Sequence, residues 1–241
     1  MAYETVADIV TDAAQLVGIT TSTITNPFTS TDPNILQMVY LLKAAGRQLV
    51  REHQWSQLQA THSFSTVSGT ATYSMPADFG RHIDQTHWNS EAQLPLAGPT
   101  TPQEWRALKV LNASAGVQFY FRTNGSTLEV YPTPTDAQDL VLDYVSTYWV
   151  QATGSANRDK SKPTVATDIL WFDSPVLVHR LRRDWQRLKG QDSSDASNAY
   201  EDAVAAAKSH HRSAPVLSLA GTPSRPRTIG WWNLPPTGWG Q

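Results

Sequence analysis

The spacing of apolar residues changes twice along this chain, and those two changes constrain its fold more than any single motif. Val6, Ile9, Val10, Ala13, Leu16 and Val17, then Ile35, Met38, Val39, Leu42, Ala45 and Leu49, recur at the three-to-four-residue spacing of one helix face. From His62 to Tyr148 the period becomes two, in Phe64-Ser65-Thr66-Val67, Thr70-Ala71-Thr72-Tyr73, Phe119-Tyr120-Phe121 and Leu140-Val141-Leu142-Asp143-Tyr144. Helical spacing returns at Leu177, Leu181, Trp185 and Leu188, and again at Ala196, Ala199, Tyr200, Ala203, Val204 and Ala207. These runs predict an α+β chain: a helical bundle formed by N- and C-terminal helices, an inserted antiparallel β-domain and an extended C-terminal tail. The expected partition is N-terminal helices over residues 1–60, a β-rich insert with one short helix over 61–150, C-terminal helices over 165–212 and a Pro/Trp-rich tail over 213–241.

Turn and cap residues set the element ends. Gly18 suits the left-handed conformation that closes a first helix. Asp32-Pro33 supplies an acceptor for orphan N–H groups and a first-turn proline, so a second helix starts there and is expected to run to about Trp55 or Leu58. Ser68-Gly69 and Asn124-Gly125 read as hairpin turns. Thr101-Pro102-Gln103-Glu104 is a capping box ahead of a short helix over Trp105 to Leu111. Residues 151–164 have loop composition, and Asp173-Ser174-Pro175 is expected to cap the next helix. Pro76 ends a strand because it cannot donate to a ladder, and Pro132 and Pro134 turn the chain out of a sheet after Tyr131.

Composition narrows the functional classes. With 19 Lys+Arg against 21 Asp+Glu in 241 residues, the formal charge is -2, so any nucleic-acid contact must be local. There is no cysteine, which removes disulfides and thiolate metal sites and fits a reducing compartment. The first residues, with Asp8 and Asp12 among apolar side chains, do not read as a signal peptide, and no apolar run reaches membrane-spanning length. The expectation is a soluble protein without membrane insertion.

Chemistry-bearing motifs are sparse. Phosphate loops, nucleophile elbows and His-x-x-x-His pairs are absent, and no catalytic, cofactor-binding or metal-ligating residue is assigned. His82 and His87 flank Asp84, but an odd separation within a strand points them to opposite faces, so ordinary surface or half-buried histidines are expected. Glu104 and Asp173 are explained as caps, and His210-His211 as a helix end. Nothing in the sequence brings Glu104, Asp84, Asp168 or Asp173 together as a carboxylate pair.

Two features stand out, a basic run whose ordinary reading is helix-dipole stabilisation and pairing with nearby acids, and a tail whose ordinary reading is a disordered end. Between His179 and Lys189 five basic residues accompany one acid, and Arg180, Arg183 and Arg187 share a face; they are candidates for a subunit interface or a channel surface. Trp55, Trp88, Trp105, Trp149, Trp171 and Trp185 fall in or beside periodic segments and read as core. Trp231, Trp232 and Trp239 lie in a segment with five prolines, four glycines, no acid and no apolar period. With Arg225 and Arg227 they form a candidate docking segment.

The order of elements from about residue 34 to 205 resembles the head-to-tail adaptor, connector, tail accessory and tail tubular proteins of tailed bacteriophages. The resemblance is carried by Trp55-Ser56-Gln57-Leu58, Phe64, Tyr73-Ser74-Met75-Pro76-Ala77-Asp78-Phe79, Leu128-Glu129-Val130-Tyr131-Pro132-Thr133-Pro134 and Leu140-Val141-Leu142-Asp143-Tyr144. Met75 stands where leucine is usual, and the long Trp-rich tail departs from the pattern. The resemblance implies a non-enzymatic virion protein of the neck, assembled in the host cytoplasm. It implies a homo-oligomeric ring of about twelve copies beneath the portal, extending the channel through which double-stranded DNA passes. Its implied partners are the portal, further copies of itself and a downstream tail protein, either a nozzle or a second adaptor. The tail's role is read from its composition instead: Arg225, Arg227, Trp231, Trp232 and Trp239 would dock on the portal or on a neighbouring subunit. The alternative from another class is a carbohydrate- or receptor-binding tail module built on the aromatic sheet.

Overall fold

The structure is a computed structural model of the single chain, and it describes residues 3–111 and 118–210. It is α+β, as the two period changes require. α1 (Val6–Leu16) opens on a Thr5–Asp8 capping box and closes near Gly18, at φ 76°. α2 (Pro33–Glu52) is capped by Asp32, whose carboxylate accepts from the Asn34 N–H at 2.8 Å. α4 (Ser174–Leu188) and α5 (Ser194–His210) return to the same bundle. Their inward stripes form one core in which Ile9, Met38, Leu42, Leu49, Leu177 and Leu181 are inaccessible to solvent.

α2 ends earlier than the apolar stripe suggests. Trp55 folds back beneath the last turn, donating its indole N–H to the Leu49 carbonyl at 2.7 Å, and His53 is already extended. A buried tryptophan thus caps the helix from below, and the apolar residues after Glu52 belong to the turn and the next strand.

The middle of the chain forms β1 (Gln59–Ser65), β2 (Thr72–Ser74), β3 (Phe79–His82), β4 (Trp88–Asn89), β5 (Leu94–Pro95), α3 (Pro102–Val110), β6 (Tyr120–Asn124), β7 (Thr127–Tyr131) and β8 (Asp139–Ser146). β8 is central, with β1 antiparallel on one side and β3 and β4 following each other along the opposite side; β5 extends the sheet beyond β4. A second sheet has the order β2-β7-β6. Leu140, Leu142 and Tyr144 of β8 join Phe121, Leu128 and Val130 in a second core between the two sheets. A short pair of β9 (Val150–Gln151) and β10 (Ile169–Leu170) brackets the polar loop.

Asn124-Gly125 makes the expected hairpin, with Gly125 at φ 61° and Asn124 facing Thr127. Ser68-Gly69 does not. It is a turn with Gly69 at φ 77°, but the strands on either side pair with different partners, β1 with β8 and β2 with β7. The turn carries the chain from one sheet to the other. A tight turn specifies a local reversal and leaves open which edges then pair.

β8 also connects the two cores, because successive side chains point to opposite faces. Leu142 and Tyr144 enter the sheet core, whereas Val145 enters the helical one, followed by Trp149 and Val150. The Trp149 ring lies against α2 at Gly46, where an added Cβ would overlap it. Asp78, within the Tyr73–Phe79 segment, fixes the end of β8: it accepts from Tyr144 Oη at 2.8 Å and Ser146 Oγ at 2.6 Å, and its carbonyl accepts from the Thr147 N–H. Burial and this hydrogen bond to Asp78 raise the Tyr144 phenol well above its usual range.

Candidate functional site

The basic helix divides into residues with different roles. Apolar residues at Leu177, Leu181 and Trp185 turn one face of α4 inward, and Arg180 falls beside them with only 6% of its surface exposed. Its guanidinium donates to Asp184 Oδ2 at 2.9 Å, Glu52 Oε1 at 3.1 Å, Tyr200 Oη at 2.9 Å and Gln48 Oε1. Burial alone would depress its pKa, but the charges of Asp184 and Glu52 and the Tyr200 hydroxyl more than offset that and raise it. The planar fork with its several donors suits a hub joining three helices, which a lysine point charge would not.

Arg183 donates to Asp184 Oδ1 at 2.8 Å and stacks on the Tyr200 ring at 4.4 Å. Arg187 is exposed and reaches Ser193 Oγ at 3.4 Å and Ser197 Oγ at 3.2 Å, holding the α4–α5 turn. The three sequence-selected arginines therefore sit near one another with unequal availability: the donors of Arg180 are taken up within the chain, and Arg187 faces solvent. Apart from Asp184, the partners of Arg180 lie outside its own helix, Tyr200 by 20 positions and Glu52 by 128, so no local spacing announces them.

A second basic group was not singled out by sequence. Arg47 and Arg51 sit one turn apart on the outer face of α2, opposite Arg81 at the end of β3. With Trp149, Thr147 and Ser161 they line a cleft of about 370 Å³ where the bundle meets the sheet. Among the described residues none of these three arginines has a carboxylate within ion-pair distance. Dispersal through the sequence hides the cluster, since the residues come from a helix and a strand thirty positions apart.

His82 and His87 are brought together, contrary to the strand-parity expectation. β3 ends at His82 and the chain turns through Gln85, at φ 63°, so face alternation does not extend across the interval. His87 Nε2 and His82 Nδ1 share a hydrogen bond at 2.8 Å, His82 Nε2 meets Thr123 Oγ1, and His87 stacks on Phe121. Burial, reinforced by His82, lowers His87 to about 4, and burial also lowers His82. Two neutral rings bonded in series are a structural arrangement, and among the described residues no group of three metal-ligating side chains forms.

The carboxylates considered as a pair stay in separate settings. Asp168 is buried, receiving Lys160 Nζ at 2.8 Å and the N–H groups of Thr164 and Val165; despite burial, these donors lower its pKa. Glu104 completes the predicted capping box on Thr101. Asp173 occupies the N-cap position of α4, but its side chain makes no cap bond; its backbone carbonyl accepts from Val176 instead. Trp88 departs from the core expectation, standing 44% exposed, because β4 turns Asn89 inward. Trp55, Trp105, Trp149 and Trp185 are buried, and Trp171 is half-buried beside Tyr3 and Arg158. His211, Arg225, Arg227, Trp231, Trp232 and Trp239 lie outside the described residues.

The chain is thus an α+β protein in which β8 links a helical core to a sheet core and arginine-centred networks tie the helices together. The model of the SU10 adaptor protein family matches residues 4–223, and the chain belongs to that family. It is a bacteriophage adaptor protein and a virion component. A search of curated proteins finds no match. Among the described residues no helix is long and apolar enough to cross a membrane.

Proposed function

We propose that the chain is a non-enzymatic head-to-tail adaptor that assembles as a ring of about twelve copies beneath the portal, extends the DNA channel and links the capsid to the tail. The observation that carries this reading is the adaptor-family match, which runs through both cores. In this role the partition is mechanical: the helical core, residues 1–60 with 165–212, packs against neighbouring copies, and the insert over 61–150 presents a surface to the next tail protein. DNA passes through the ring without base-specific contact and is retained until ejection. Assembly takes place in the host cytoplasm.

In this reading Arg180 fixes the helix that presents Arg183 and Arg187 toward a subunit boundary or the channel. The segment from Ser213 to Gln241 docks on the portal through Trp231, Trp232 and Trp239, with Arg225 and Arg227 pairing with portal carboxylates. Truncation after Arg212 tests it. The shortened chain should keep its helical circular-dichroism signal while its affinity for purified portal falls by at least about a hundredfold, the scale of losing more than one buried indole anchor. Portal binding unchanged by the truncation would overturn the docking role, and a full-length chain that stays monomeric on the portal would overturn the ring.

A further inference from the structure

We propose that two exposed helix stripes of this chain are the two halves of one subunit-subunit contact: the Tyr40-Ala44-Arg47-Arg51 stripe of α2 in one copy and the Asp195-Asp202-Ala206 stripe of α5 in the next. The inference deepens the ring reading and rests on it, since a ring requires two different surfaces of the same chain to fit each other.

The α2 stripe follows helical spacing along the outer face, and its N-terminal half presents an aromatic ring beside a small residue: Tyr40 is 68% exposed, with the Lys43 ammonium 5.6 Å from its ring centre, and Ala44 is exposed. Its C-terminal half is basic, and Arg81 across the cleft adds a third positive charge. None of these arginines meets a carboxylate among the described residues, in contrast with Arg122, Arg180 and Arg183, which all do. Three unpaired guanidiniums around a cleft with Trp149 and Val50 in its wall suit an acidic protein surface that also brings small apolar groups.

α5 supplies that surface. It packs on α4 through Ala196, Tyr200 and Ala207, leaving the other side to solvent. On that side Asp195, Glu201 and Asp202 are exposed and, among the described residues, unpaired, while Ala205, Ala206 and Ser209 follow toward the C-terminus. Acid precedes small residues here, whereas in α2 the small and aromatic residues precede base. Only an antiparallel pairing matches both halves at once. In the register that sets Arg47 level with Asp202, Arg51 falls between Asp195 and Asp202, Ala44 meets Ala205 and Tyr40 meets Ser209. Small residues opposite Tyr40 and Ala44 permit close approach, and antiparallel axes set opposite dipole ends side by side. The C-terminal tail is the wrong occupant for the basic cleft, because residues 213–241 carry Arg225 and Arg227 and no acidic side chain.

A charge-swap experiment on the full-length chain tests the pairing. R47E/R51E and D195K/E201K/D202K change only exposed side chains, so each variant should fold and melt within a few degrees of the wild type, the small loss coming from Arg51 and Asp195 at the dipole-favoured ends of their helices. Each alone should need about a hundredfold more protein, or fail, to assemble on purified portal, because like charges then face each other. An equimolar mixture should restore assembly, with the two variants alternating at a 1:1 ratio by native mass spectrometry. Wild-type rings that tolerate both reversals, or folded variants that do not rescue each other, would overturn this pairing and leave the ring intact. A wild type that never assembles would remove the ring reading, and this contact with it.

Discussion

The helical core surrounds a permanent charge, whereas the sheet core encloses two rings that must remain neutral. Arg180 sits among Gln48, Glu52, Asp184 and Tyr200, so its charge is met by two carboxylates at the edge of water. His82 and His87 have Phe121 and Thr123 around them and only each other to bond in series, and burial lowers both pKa values. The difference follows from architecture. Helices present long side chains from three directions toward one point, so a guanidinium can be met by several acceptors. The space between the two sheets is filled by alternating apolar residues, and the polar rings there are satisfied by each other and by the Thr123 hydroxyl.

The largest effect expected from breaking this contrast is on the helical side. Arg180→Ala should lower the unfolding free energy by about 3 kcal/mol in urea titrations, because it removes a shared donor and leaves Tyr200 and Asp184 partly buried without it. Arg180→Lys should recover only part of that, since one ammonium cannot reach three helices. Full stability in Arg180→Ala would mean that apolar packing alone orders α2, α4 and α5.

The sheet core should reveal itself through pH. His87 has a folded pKa of about 4 against an ordinary value near 6.5, so between those values the unfolded chain binds the extra proton. Stability contributed by the neutral ring is present above about pH 6.5 and lost as pH falls toward 4, by on the order of 2 kcal/mol. The effect belongs in the window from about 6.5 to 4.5, above the range in which the depressed Asp168 titrates. His87→Gln should reduce the slope of the stability profile there, leaving the part due to His82, and a wild-type profile already flat in that window would contradict a neutral buried pair.

The smallest effect separates a buried arginine from one a quarter exposed at the sheet surface. Arg122 pairs with Glu129 at 2.8 Å on the sheet surface and lies over Trp105 at 4.9 Å, yet a quarter of its side chain remains accessible. Arg122→Ala should cost less than about 1 kcal/mol by chemical denaturation, the ordinary range for a solvent-screened pair. A loss equal to that of Arg180→Ala would show that burial is not what distinguishes the two arginines.

What the sequence determined by itself is local. Helical period placed α1, α2, α4 and α5, the Thr101–Glu104 box placed α3, and Asn124-Gly125 placed the β6–β7 hairpin, because caps, turns and amphipathic stripes act over a few residues. The Tyr73–Phe79 segment also carried the family resemblance that the match over residues 4–223 sustains. Tertiary structure decided everything that depends on which distant surfaces meet. Ser68-Gly69 looked like a hairpin until its flanking strands chose partners in different sheets; His82 and His87 faced apart only while the strand between them was assumed continuous. Arg180 found Glu52 across 128 positions, and Arg47, Arg51 and Arg81 became one basic cleft only when α2 came to rest beside β3 and β8. Side-chain period depends on the geometry of one element, but pairing and pockets depend on how several elements pack, and that is set by the burial of all their apolar faces together.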